Sequence, residues 1–118
     1  YATDGTVASL PRLAETNAGL VGLHVLADRR LLVLERAHSW LGMSLVIQLS
    51  RTSPWTATGQ LLEKIPLARF DSSLGWRVDN FEGLAHHEDN RFFIVSDDNG
   101  SALQTTLLVY FELLPTTR

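Results

Sequence analysis

The sequence has no cysteine and a single lysine, Lys64, and these two shortages remove several classes of site. Without cysteine there is no disulfide framework, no thiolate metal site and no cysteine nucleophile, and sulfur gives no indication of redox compartment. The 13 acidic and 10 basic residues include no block of Lys or Arg that could hold a nucleic-acid backbone. We therefore expect no nucleic-acid partner, and chemistry that rests on oxygen and imidazole groups.

Long apolar runs are also missing. Arg, Glu or Ser interrupts every apolar stretch well before the roughly 20 residues that a helix needs to cross a bilayer, so we expect no membrane-spanning segment. With 118 residues, 45% of them hydrophobic, and a net charge of −3, the chain predicts one domain over residues 1–118. It starts at Tyr1 without an initiator Met or a signal sequence, which predicts a piece of a longer precursor.

What the sequence does contain is an internal repeat. GLHVLADRRLLVLER at residues 22–36 aligns without a gap on GLAHHEDNRFFIVSD at residues 83–97, at an offset of 83 − 22 = 61 residues. Gly-Leu opens both segments, and both place an Asp and an Arg in the polar stretch before a second apolar run. Repetition at a fixed spacing is typical of stacked supersecondary units, so we interpret the two segments as one unit used twice.

Each copy predicts an antiparallel hairpin. The polar stretches contain Asp28 and Asp89-Asn90, residue types that tolerate positive φ and suit short hairpin loops. The second strand of each hairpin is a continuous apolar run, LLVL at 31–34 and FFIV at 92–95. Continuous runs are typical of strands that are covered on both faces.

Further strand candidates extend both hairpins. They are residues 43–50, residues 60–67, where Pro66 suits an edge strand, and residues 105–114. The first repeat then spans about residues 19–68 and the second about 79–114, which residues 5–10 could complete.

Four antiparallel strands per repeat is the pattern of a β-propeller blade. We therefore predict an all-β fold with antiparallel, four-stranded, blade-like repeats, about two blades in all. Because each repeat buries only part of its apolar surface alone, we expect a missing portion of a longer chain, a sandwich of the two sheets, or a homo-oligomer.

DNFEGLA at residues 79–85, followed by SDDN at 96–99, resembles the phytase-like family, whose description is esterase-like activity of phytase. RRLLVLER at 29–36 is similar to an upstream strand of the same family, so the resemblance covers roughly residues 22–114. It implies a β-propeller in a protein exported to the periplasm or the extracellular space. The polar residues that match the family motifs are Glu35, Arg36, Asp79, Asn80, Glu82, Asp97, Asp98 and Asn99.

The matching acids predict a metal-assisted phosphoric-ester hydrolase. Carboxylate and amide oxygens suit Ca²⁺, which takes about 6 to 8 such ligands. A bound cation offsets the charge of a phosphate and polarises it toward water, so the substrate would be a phosphorylated small molecule. The candidate metal ligands are Glu82, Asp97, Asp98 and Asn99, and the candidate catalytic residues are Glu82, Asp79 and the phosphate-binding Arg36.

An alternative interpretation makes the same residues structural. Asp and Asn side chains at turns cap backbone N–H groups, and Arg36 at a strand end suits an ion pair with an acid. The first copy has Val21 where the second has Glu82, so the carboxylate is not part of the repeated unit. On this interpretation the chain is a non-catalytic binding or assembly module.

The histidines give little support for a metal site. His86 and His87 are adjacent in a predicted strand, so their imidazoles point to opposite faces and cannot easily share one ion. His24 stands alone in the sequence and is interpreted as a packed or surface histidine.

Overall fold

The computed structural model describes residues 8–11, 13, 18–38, 45–72, 81–96 and 108–114. In these ranges the strands are β1 (Ala8–Ser9), β2 (Gly19–Val25), β3 (Leu31–His38), β4 (Leu45–Thr52), β5 (Gln60–Leu61), β6 (Lys64–Asp71), β7 (Phe81–Glu88), β8 (Arg91–Ser96) and β9 (Leu108–Glu112). The first sheet has the order β2-β3-β4-β6 and the second sheet β7-β8-β9, both antiparallel throughout. The prediction of an all-β, antiparallel fold is confirmed.

Among the described residues, no helix has the length and apolar character needed to span a membrane.

The hairpins of the two sheets pair in the same register. Gly22 on β2 is opposite Leu34 on β3, and Gly83 on β7 is opposite Val95 on β8. Both residues of the second pair lie 61 positions after those of the first, the offset of the sequence repeat. Since a slip of one residue would turn every side chain to the other face of its sheet, the common register gives the two hairpins equivalent faces.

Both hairpins also contain a β-bulge at the equivalent position. The pairing of β2 with β3 skips Val21, and the pairing of β7 with β8 skips Glu82. A bulge leaves one residue without a cross-strand partner and bends the strand locally. The backbone therefore has the same bulge at both positions, although Val21 is apolar and Glu82 is acidic.

The hairpin turns follow the prediction in one copy and depart from it in the other. Asp89 has a φ of 48°, in the left-handed region, as expected. In the first hairpin that conformation falls on Arg29, with a φ of 68°, and not on Asp28. Asp28 instead accepts a hydrogen bond at Oδ1 from the backbone N–H of Arg30 (3.1 Å), and Arg29 Nε donates to the carbonyl of Trp55 (2.7 Å). These two hydrogen bonds stabilise the first turn, which has no Asp in the left-handed region.

The two sheets pack face to face with unlike faces in contact. One core cluster joins them, made of Leu32, Leu34, Ile47, Leu49, Phe81, Phe92 and Ile94. At the repeat offset Phe92 corresponds to Leu31, yet it packs with Leu32, whose side chain lies on the opposite face of β3 from that of Leu31. The second sheet therefore contacts the first through its Phe92 face. The equivalent face of the first sheet, which carries Leu31, points away from the second sheet.

The outward face of the first sheet, the one that points away from the second sheet, is covered by other residues. Leu31, Val33 and Leu62 form a second buried cluster, against which Ala8, Leu10 and Trp55 pack. All four residues of the 31–34 run are therefore buried, as predicted.

The equivalent prediction for residues 92–95 is wrong on one face. Phe92 and Ile94 are buried in the core, but Val95 is 36% exposed and Phe93 is only partly buried. The physical reason is that Phe92 and Ile94 face the first sheet in the core cluster, whereas Phe93 and Val95 lie on the opposite face of β8.

The amino-terminal segment lies against the first sheet and not in the second. We expected residues 5–10 to complete the second repeat, but Ala8–Ser9 pairs in parallel with β5, and the N–H of Leu62 donates to the carbonyl of Ser9 (2.8 Å). Packing of Ala8 and Leu10 on the second cluster accounts for this position. Residues 5–7 lie outside the described residues.

The fourth strand of the first sheet starts later than predicted. Residues 60–67 divide into β5 and the start of β6, because the fully buried Leu62 inserts into the second cluster between them. β6 is an edge strand, so the absent N–H of Pro66 removes no ladder bond from the sheet interior, as expected.

Gly22 should be intolerant of a side chain. A Cβ there would lie 2.6 Å from the Cβ of Leu84 and 3.3 Å from its backbone nitrogen, so β2 and β7 would have to separate. We expect Gly22→Ala to lower the free energy of unfolding by about 2 kcal/mol in urea denaturation, as in overpacked cores. The matched control is Gly19→Ala on the same strand, where a Cβ would meet no atom within 4 Å. Equal losses in the two variants would contradict close packing of β2 on β7.

Candidate functional site

Two of the predicted site residues lie in described strands. Arg36 is on β3, and the backbone of Glu82 is on β7. The side chain of Glu82 lies outside the described residues, and so do Asp79, Asp97, Asp98 and Asn99. The predicted calcium ligands and the catalytic roles of Asp79 and Glu82 therefore stay predictions.

The described strands bring Arg36 and Glu82 to the same end of the two sheets. β2 and β7 pack side by side in the same direction, since Gly22 meets Leu84 and His24 meets His86 further along. The Gly19 end of β2 therefore corresponds to the start of β7, where Glu82 lies. Arg36 is the cross-strand partner of Gly19, which puts it at that end.

Arg36 also lies on the face of the first sheet that meets the second. Residues two apart on a strand share a face, so Arg36 shares its face with Leu32 and Leu34 of the core cluster. At the repeat offset Arg36 corresponds to Asp97. The two repeats thus carry opposite charges at equivalent positions in the sequence.

Glu35 has a structural role in the first sheet. Its side chain is 3% exposed, and Oε1 accepts a hydrogen bond from Nζ of Lys64 (2.6 Å) in a salt bridge. Oε2 accepts a second hydrogen bond, from the backbone N–H of Leu13 (3.2 Å). A buried carboxylate needs such partners to offset its loss of hydration. Both oxygens of Glu35 are therefore engaged in holding the amino-terminal segment and β6 to β3.

The adjacent histidines point to opposite faces, as predicted. His86 stacks on His24 with ring centroids 4.7 Å apart and an interplanar angle of 25°. His87 lies on the other face, where Nδ1 is 3.0 Å from the hydroxyl of Tyr110.

The contact between His24 and His86 is a feature that sequence reasoning missed. The two residues lie 62 positions apart, one more than the repeat offset, so the alignment does not bring them together. Their contact depends on how β2 and β7 pack, and both rings also contact Phe92, with centroids 5.2 and 5.0 Å away.

The histidine pair lines a cavity of about 550 Å³ at the turn end of the two hairpins. Asp28, Arg51 and Asp89 line it as well. His86 Nε2 lies 2.9 Å from the carbonyl oxygen of Asp89; because a carbonyl only accepts, this nitrogen carries the hydrogen. Burial lowers the pKa of His24 below its usual 6.5, and the neighbouring His86 lowers the pKa further.

The cavity does not have the ligand set of a metal centre. Across the residues that the structure describes, no three His, Cys, Asp or Glu side chains are grouped so that they could hold a metal ion. The cavity instead brings the imidazoles of His24 and His86 together at the contact between the two repeats.

Comparison with known proteins identifies one family. The family model Phytase-like, described as esterase-like activity of phytase, matches residues 1–100, most of the chain. The match confirms the resemblance seen at DNFEGLA and SDDN. Neither a curated protein nor a solved structure matches the chain significantly.

Removing the charge of Lys64 should destabilise the protein strongly. Lys64→Met leaves Glu35 buried without its cation, and breaking such a pair from one side costs about 3 kcal/mol of unfolding free energy, measurable by urea denaturation. As a control, Arg91→Met breaks exposed ion pairs with Glu88 and Glu112 and should cost less than about 1 kcal/mol. A Lys64→Met loss as small as that of the control would show that the buried pair contributes little.

The lowered pKa of His24 should make stability fall as the pH falls below about 6.5. The pKa of His24 is lowered in the folded protein, so the unfolded chain takes up this proton first. Stability from this group is therefore complete above the unfolded pKa of 6.5 and is lost as the pH falls from 6.5 toward the folded pKa.

Unfolding free energies measured between pH 5 and 8 (a range of about three units around the histidine pKa) test this expectation. His24→Gln should flatten the dependence relative to the parent protein. An unchanged slope in His24→Gln would contradict the assignment.

Proposed function

The chain belongs to the phytase-like family, and from this membership we propose that it is a metal-assisted phosphoric-ester hydrolase built on two β-propeller blades. The observation that carries the proposal is the bulge at Glu82. It leaves Glu82, an acidic residue of the DNFEG motif, without a cross-strand partner at the end of the second sheet that also lies nearest Arg36. Bulges occur often next to active sites, where they redirect a side chain.

The unlike-face packing supports the propeller part of the proposal. If the two sheets were related by a twofold axis, like faces would meet and the pair would be closed. Here the Phe92 face of the second sheet meets the Leu32 face of the first, so each added sheet leaves the same kind of face free. Stacking of this kind can continue, as it does in propellers and other repeat proteins. Further blades, from a longer chain or from other copies, would complete the ring.

The proposed cation ligands are all oxygen donors. Asp97, Asp98 and Asn99 follow the last residue of β8 directly in the sequence, and that residue, Ser96, pairs with Phe81 beside Glu82. A set of carboxylates with one amide fits a hard cation such as Ca²⁺. A bound cation would offset the charge of the phosphoryl group and polarise it.

Protein side chains are proposed to supply the general base and the phosphate-binding group. Asp79 and Glu82 are the proposed general bases for the proton of the attacking water. Arg36 is proposed to steady the phosphate through its planar set of donors, and its position on the face toward the second sheet supports this role. The substrate class is a phosphorylated small molecule, and the proposed location is periplasmic or extracellular, by likeness to the family.

A second candidate function is a non-catalytic binding or assembly module. It is favoured by the way the first repeat uses its acids: Glu35 has both oxygens bonded within the fold, and Asp28 bonds the backbone of its own turn. If the acids of the second repeat do the same, the family motif serves packing between blades and not chemistry.

Glu82→Gln separates the two candidates. If Glu82 is a base and ligand, the variant should release phosphate from a phosphorylated substrate at least about a hundredfold more slowly, the usual scale of general-base catalysis. Ca²⁺ should also raise the melting temperature of the parent protein relative to chelator, and raise that of the variant less. The control is Glu63→Gln, an exposed carboxylate between β5 and β6.

Equal phosphate release by the parent, Glu82→Gln and Glu63→Gln would favour the binding module. If millimolar Ca²⁺ leaves the melting temperature of the parent unchanged, the cation has no place in the mechanism.

A further inference from the structure

A short amino-terminal segment covers part of the outward face of the first sheet. It consists of residues 8–11 and 13, which we call the strap. Ala8 and Leu10 of the strap pack on the second cluster, which contains Leu31 and Val33 of β3. The other face of β3 packs on the second sheet through the core cluster. A sheet therefore buries one side of this strand, while short segments bury the other.

The repeat indicates what this outward face is suited to contact. At the offset of 61 residues, Leu31 and Val33 correspond to Phe92 and Ile94. Phe92 and Ile94 are buried against the first sheet in the core cluster. The strap therefore occupies, on the first sheet, the place that a neighbouring sheet occupies on the second.

The strap is bonded outside the strand ladders of the first sheet. β1 pairs with β5 in a separate two-stranded sheet, and the N–H of Leu62 donates to the carbonyl of Ser9 (2.8 Å). In the described ranges the first sheet has the order β2-β3-β4-β6, which contains no strand of the strap. Release of the strap would therefore leave the ladders between these four strands formed.

The buried Glu35 would also keep its cation after release of the strap. Oε2 accepts a hydrogen bond from the N–H of Leu13 in the strap (3.2 Å), whereas Oε1 accepts from Nζ of Lys64 on β6 (2.6 Å). Opening would admit water to Oε2, and the salt bridge with Lys64 lies within the sheet. No buried charge would be left unpaired, which is the most costly result of breaking such contacts.

Another part of the cover is bonded to the first sheet independently of the strap. The N–H of Trp55 donates to the carbonyl of Arg29 in the β2–β3 turn (3.0 Å), and the N–H of Ser53 donates to the carbonyl of Glu63 (2.9 Å). These bonds hold the loop that carries Trp55. The cover thus has a fixed part and a part that can separate from it.

We propose that the strap opens as a unit while both sheets stay folded, and that this opening uncovers Leu31 and Val33. A local opening needs less free energy than global unfolding, because it breaks the contacts of one segment only. The opened strap would leave free the place that a sheet takes in the second repeat. The inference concerns the amino-terminal segment and is independent of the proposed hydrolase activity.

The lack of cysteine allows a direct test, because one introduced Cys is the only thiol in the chain. Val33→Cys and Leu34→Cys are matched: both positions are 0% exposed and adjacent on β3, but one faces the strap side and the other the second sheet. Without denaturant, Val33→Cys should react with an aromatic disulfide reagent at least about tenfold faster than Leu34→Cys. Each rate is first divided by that of the same variant unfolded in urea, which removes differences in intrinsic thiol reactivity.

Leu10→Asp tests whether the strap controls this reaction. A charge at this position opposes packing on the second cluster, so it should speed the reaction of Val33→Cys at least about tenfold. It should leave the reaction of Leu34→Cys unchanged.

Hydrogen exchange tests the parent protein, where no substitution can disturb folding. The N–H groups of Leu13 and Leu62 both take part in bonds between the strap and the rest of the chain. They should share one free energy of opening, lower than that of the amides in the β3–β4 ladder.

Three outcomes would overturn the proposal. They are equal corrected rates for Val33→Cys and Leu34→Cys, an equal effect of Leu10→Asp on both, and exchange of the Leu13 and Leu62 amides only through global unfolding.

Discussion

Close packing of β2 against β7 is the constraint on which the rest of the structure depends. Gly22 leaves room for Leu84 to approach the backbone, and the two strands then lie side by side in one direction. This approach sets the stagger that stacks His24 on His86 and buries Phe92 against the first sheet. Since interiors are close-packed and tolerate little added volume, the missing side chain at one glycine fixes the relation of both repeats.

The two repeats share their backbone register but differ in the residues at one end. Val21 and Glu82 occupy equivalent bulges, and Arg36 aligns with Asp97. In the first repeat the bulge residue packs on the core, and the neighbouring Glu35 is bonded within the fold. Residues therefore differ at the end where the family motif lies, while the bulge there and the strand register beside it are the same in both repeats.

Local patterns predicted the parts of the fold that depend on neighbours along the chain. The hairpins and their common register followed from the apolar runs and the Asp-containing turns, because pairing between adjacent strands is short-range. Contacts between distant segments were not encoded in any single stretch. The place of Ala8–Ser9 beside β5, the exposure of Val95 and the pairing of His24 with His86 all depend on which sheet faces which. The candidate site was predicted from motif residues, and of these the structure describes Arg36 and the backbone of Glu82.

The faces of the two sheets also set a condition on any larger assembly. The outward face of the first sheet is covered by Ala8, Leu10 and Trp55, whereas Val95 on the outward face of the second sheet is partly open to solvent. A closed ring requires a blade on both outward faces, because every blade in a ring has two neighbours. The amino-terminal segment would then have to leave the second cluster, and its removal would expose Leu31 and Val33 as the docking face for the next blade. A blade added to the outward face of the second sheet would displace no such segment. Adding a blade to the first sheet therefore costs more free energy than adding one to the second.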